Sequence, residues 1–79
     1  MQVMPRQPED TRGVIARRGE RSDVDVHWLC AMEELVGYLE CEQHFPPGTQ
    51  LALTLDSGWR LLVLIMGEKN RFKANLRNF

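Results

Sequence analysis

Six apolar residues in a row, Leu61-Leu62-Val63-Leu64-Ile65-Met66, constrain this chain more than any other stretch. In a strand, successive side chains point to opposite faces, so such a run puts apolar groups on both. It therefore predicts a strand covered on both sides. With 79 residues the chain makes one domain, and a domain of that size buries only about 60–65% of its unfolded surface. Cover from a second copy or a partner protein would relieve that shortage. The run thus points to a dimer or a complex with this strand near the buried seam. The competing cover is the chain's own N-terminal arm, folded back with Val3 and Met4.

Around the run, the pattern reads as short elements. Residues 1–12, rich in Pro, Gln and charge and without periodicity, read as a flexible N-terminal arm, and residues 13–79 as a single domain. Gly13 to Arg17 and the alternating Asp23 to Trp28 predict a first hairpin around Gly19. Trp28, Met32, Leu35, Val36 and Leu39 fall at helical spacing and predict a helix over about residues 30–43. Gly37 inside it would let another backbone approach closely, and Pro46-Pro47-Gly48 would end it. Gln50 to Leu55, Trp59 to Met66 and Arg71 to Arg77 read as three more strands joined by turns at Asp56-Ser57-Gly58 and Gly67 to Asn70. The expected fold class is α+β: β-β-α-β-β-β, with one helix on a mostly antiparallel sheet of four to five strands.

The net charge of −1 conceals a segregation. Residues 1–22 sum to +2, residues 23–56 hold seven acidic groups and no Lys or Arg, and residues 57–79 sum to +4. Such asymmetry bears on partners rather than on fold. On the expected helix, Glu33, Glu34, Glu40 and Glu42 form an acidic surface suited to a basic protein partner. Arg71, Lys73 and Arg77 alternate along the last strand, with Arg60 nearby, and offer phosphates a basic face. The plainer explanation of that face is protection of an edge strand against aggregation.

The residues that carry catalysis or bind metals are sparse. His27-x-x-Cys30 and Cys41-x-x-His44 have the donor types of a zinc site. The expected helix sets the two cysteines about 16 Å apart, too far for one ion. Cys41 lies between Glu40 and Glu42, which favour its neutral thiol and not a nucleophile. No nucleophile elbow or phosphate-cradling loop occurs in the sequence. The expectation is a protein with no catalytic residues, no metal and no cofactor. No apolar run approaches the ~18 residues of a membrane span, and two cysteines are too few for a disulfide framework, so the expected setting is cytoplasmic.

Arg17 and Arg21 have the RxxxR spacing of PilZ domains, which bind a cyclic dinucleotide. The second PilZ motif, D/N-x-S-x-x-G, has no counterpart, since Asp56-Ser57-Gly58 is too compressed. Leu51 to Leu76 is similar to the first Sm-like RNA-binding motif, but Leu62 stands where that family has a glycine. Neither family is assigned. In profile alone the chain resembles inhibitors encoded by phages and other mobile elements, anti-CRISPR proteins among them. That resemblance implies a small non-enzymatic protein-binding module. The alternative is a small nucleic-acid-binding or regulatory domain that uses the basic last strand.

Overall fold

The computed structural model describes residues 11–31 and 35–76. They form six strands: β1 (Thr11–Arg17), β2 (Glu20–Ala31), β3 (Leu35–Glu40), β4 (Gln50–Leu55), β5 (Arg60–Gly67) and β6 (Arg71–Leu76). A three-residue turn, Glu68–Asn70, joins β5 to β6, with Lys69 and Asn70 in the left-handed region (φ 59° and 54°). All pairings are antiparallel, and the order β1-β2-β3-β6-β5-β4 closes on itself as a barrel. Two meanders, β1-β2-β3 and β4-β5-β6, meet along two seams, β3 against β6 and β1 against β4.

The α+β expectation is therefore wrong, and its helix does not exist. Residues 30 and 31 end β2, and Leu35–Glu40 is β3. The helical stripe misled because Trp28, Leu35 and Leu39 are buried under either period. Leu35 and Leu39 are four apart, which suits one face of a helix and one face of a strand equally. Burial along β3 in fact alternates at every residue from Leu35 to Glu40. Pairing with β6, more than thirty residues away, decides the matter, and no local propensity reports it.

The apolar run on β5 resolves in the same way. Leu61, Val63 and Ile65 point into the barrel and are fully buried. Leu62 and Leu64 are half-buried on the outside, and Met66 is exposed there. The inner set needs no helix, because a closed sheet covers its own interior. Leu51, Leu53 and Leu55 from β4, Val24 and Val26 from β2, and Phe72 from β6 join them in the core, with Ile15, Leu35, Leu39 and Ala74. Trp28 meets Phe72 edge-on, with ring centroids 5.6 Å apart.

β1 and β2 turn tightly at Arg18-Gly19, both with positive φ (52° and 83°), the backbone of a two-residue hairpin whose twist matches its strands. The long connection 41–49 runs from β3 to β4, which lie on opposite sides of the ring, and so crosses one mouth of the barrel. It drops Phe45 into the core with 1% of its surface exposed. Asn70 holds it there. The Asn70 Oδ1 accepts from the Phe45 N–H at 2.8 Å, and its Nδ2 donates to the carbonyls of Gln43 (2.9 Å) and Leu39 (3.4 Å). No helix among the described residues is long and apolar enough to cross a membrane.

Candidate functional site

Two irregularities in otherwise regular ladders create the most distinctive surface. Between β2 and β3 the register passes from Trp28↔Gly37 to Cys30↔Val36, leaving Leu29 as an extra residue. Between β5 and β6 it passes from Ile65↔Phe72 to Gly67↔Arg71, leaving Met66 as an extra residue. Each is a β-bulge, a device that bends a strand and re-aims a side chain. Among the described residues, Leu29 and Met66 are also the large apolar side chains most open to solvent, at 52% and 51%.

The two bulges fall on one row of the sheet. Trp28 pairs with Gly37, Gly37 with Phe72, and Phe72 with Ile65. Leu29 and Met66 thus stand three strand spacings apart, about 14 Å along the sheet. Between them lies a groove of about 740 Å³ whose floor is Val36 and Tyr38 from β3 and Arg71 and Lys73 from β6. Lys69 and Glu68 border it at the end nearer the plugged mouth. The bulge on β2 also explains Gly37. A Cβ there would lie 2.3 Å from the His27 carbonyl oxygen, the close backbone approach expected of this glycine.

Register brings basic and apolar groups into ribs. Arg71 lies beside Tyr38, and Lys73 lies between Val36 and Leu64. Tyr38 stacks on His27 at 4.7 Å and 17° between planes, and His27 Nε2 donates to Glu40 Oε1 at 2.8 Å. The groove is thus a basic rib flanked by apolar ones, with a stacked ring pair at one shoulder. β6 has neighbours on both sides, so its charges do not protect an edge.

The expected site residues are dispersed. Arg71 and Lys73 sit together in the groove, joined by Lys69, which the sequence did not suggest. Arg60 lies at the far end of β5, about 20 Å along the strands from Arg71. Arg77, Glu33 and Glu34 lie outside the described residues. The acidic surface is not a helix: Glu40 ends β3 and Glu42 is in the loop after it, where they border one depression with Asp23 and Asp25. Arg12 answers Asp25 at 3.5 Å, an exposed pair of little energetic consequence. The paired arginines 17 and 21 flank the β1–β2 turn at the mouth opposite Asp56-Ser57-Gly58.

With the helix gone, the separation of the two Cys/His half-sites rests on strands. Cys30 pairs with Val36, and Cys41 is five residues further along, about 16 Å in an extended chain. Cys41 itself is half-buried. Its thiol donates to the Gln43 carbonyl at 3.3 Å. Burial pushes its pKa up, against smaller lowering effects of its contacts with Gln43 and Asn70. The folded state therefore holds this proton more tightly than the unfolded chain does. The resulting stability is complete below the thiol's ordinary value and is lost as pH rises past about 9. Urea melts across pH 7–10.5 should show a downward slope above that point, flattened in Cys41→Ser. An equal slope in both proteins would put the alkaline titration elsewhere.

Leu29, Met66 and Tyr38 were missed because they interrupt or alternate with patterns that read as core. A usable signal was present in Trp28-Leu29, two large apolar residues where an alternating strand allows one. Compared with family models, curated proteins and solved structures, the chain matches none.

Proposed function

We propose that this protein is a non-enzymatic protein-binding module whose interface is the groove between Leu29 and Met66. The observation that carries this reading is the pair of bulges, which lift two large apolar side chains into solvent on one row. Burying the exposed half of each such side chain against a partner is worth about half of the ~1.5–3 kcal/mol of full burial. Aromatic, Met and Arg side chains are the types enriched at the centres of interfaces, and Tyr38, Met66 and Arg71 supply one of each. An inhibitor of the kind suggested by the charge profile would engage its target through this groove, not through an acidic helix.

The second reading, a small nucleic-acid-binding domain, draws on the His27–Tyr38 stack beside Arg71 and Lys73. Rings and cations on a sheet are how single strands are bound. Aliphatic walls suit it less well than they suit a protein.

A photo-cross-linker placed at position 66 in native-host cells should capture a specific protein, whereas one at Ala52, on the outer face of β4, should not. Leu29→Glu and Met66→Glu should each weaken that complex at least tenfold while melting within about 1 kcal/mol of wild type, as exposed sites do. Capture from position 52 alone, or of nucleic acid in place of protein, would refute the interface.

A further inference from the structure

We infer that the groove takes an amphipathic helix from a different protein, one presenting two acidic side chains on its docking face. This deepens the protein-binding reading and rests on it. The first ground is charge. Lys69, Arg71 and Lys73 line the groove against a lone carboxylate, Glu68, among its described lining residues. Arg71 and Lys73 are fixed on one strand, two residues or about 6.6 Å apart. Glu or Asp at positions i and i+4 of a helix are about 6 Å apart along its axis. A helix running along β6 can therefore set one carboxylate on each cation while its apolar flanks meet Leu29 and Met66.

The second ground is backbone chemistry. Along the groove floor, β3 is paired with β2 and β6, and β6 with β3 and β5, so an extended peptide finds no free row of N–H and C=O groups there. Strand addition is closed to it. A helix satisfies its own backbone and asks only for side-chain contacts.

The third ground excludes a second copy of this chain. A two-fold axis through the groove would bring the Arg71–Lys73 rib of one copy against the same rib of the other. Like charges set face to face oppose that pairing.

The test uses three labelled alanine-based helical peptides of about 18 residues, with leucines on both flanks and Glu, Gln or Lys at the central i and i+4 positions. Binding is read by fluorescence anisotropy and by amide shifts on the full chain. The Glu peptide should bind with Kd below about 1 mM and at least tenfold more tightly than the Gln peptide, with the advantage shrinking as salt rises. Its shifts should centre on Val36, Tyr38, Arg71 and Lys73. The Arg71→Glu/Lys73→Glu protein should reverse the order and prefer the Lys peptide. Equal binding of all three, lost in Leu29→Glu, would overturn the acidic partner and leave the protein-binding groove standing. No binding of the Glu peptide at 1 mM would overturn the helix proposal. Saturable binding of a single-stranded oligonucleotide in the groove instead would overturn both. A concentration-dependent dimer abolished by Met66→Glu would assign the groove to a second copy.

Discussion

Gly37→Ala is expected to destabilise the protein by about 3 kcal/mol or more, a large share of the total that holds the fold. The added methyl would lie 2.3 Å from the His27 carbonyl oxygen and 3.1 Å from the Phe72 ring. The ring tip can shift, but the carbonyl belongs to the β2–β3 ladder at its bulge and cannot. Overpacking ordinarily costs about 1–3 kcal/mol, and a rigid backbone neighbour puts this site at the top of that range or beyond it. A chain of this length has roughly 4–12 kcal/mol in total. Gly67→Ala supplies the control. Its backbone is extended, with φ of 177°, and an added Cβ would meet nothing within 4 Å. Urea midpoints should separate the two variants widely, with Gly67→Ala within about 0.5 kcal/mol of wild type. A Gly37→Ala protein as stable as Gly67→Ala would mean that the bulge at Leu29 is misplaced.

Asn70→Ala is expected to cost about 3–5 kcal/mol and to loosen the 41–49 connection before the barrel itself melts. Asn70 is 3% exposed and makes one accepted and two donated hydrogen bonds to backbone groups of residues 39–45. Each is worth about 1 kcal/mol, and a buried partner left unsatisfied adds more. The backbone contributes too. Asn70 has φ of 54°, a left-handed conformation that asparagine tolerates better than alanine by about 1 kcal/mol. Asn70→Gly restores the backbone term but not the hydrogen bonds, so it should recover only that last part. Hydrogen exchange should show Phe45 losing protection in both variants while Val63 on β5 keeps it. Equal loss at both amides would mean that the plug and the barrel open as one unit.

How much of this was legible in the sequence depends on the range of the interaction. β4 was readable to the residue, because Gln50 to Leu55 alternates cleanly and its partner follows one turn later. The β1–β2 hairpin was readable for the same reason, with Gly19 marking its turn. β3 was not, because Leu35 and Leu39 satisfy two periods and its second partner, β6, is remote. Asn70 gave no signal at all, since a polar residue in a turn is ordinary until its loop is seen to cross the barrel. At the groove, Arg71 and Lys73 were identified from their alternation, whereas Leu29 and Met66 became visible only once two registers were known. Charge counting reads the two surfaces without their surroundings. Glu40 is engaged by His27, while the basic rib has apolar neighbours that turn a charge pattern into a shaped surface.

The meeting of the two meanders along separate seams has a kinetic consequence. Within each meander the strands are close in sequence, but Ile15 meets Leu53 and Gly37 meets Phe72 only when segments more than thirty residues apart close together. Loop closure at that range is slow, so this barrel belongs with the domains that fold in milliseconds to seconds and not in microseconds. The groove straddles the β3–β6 seam and takes its floor from both sides, so neither half-sheet can display it alone. A partner bound as proposed would then act as a late clamp: it would lengthen the lifetime of the closed molecule by slowing unfolding and do little to hasten folding.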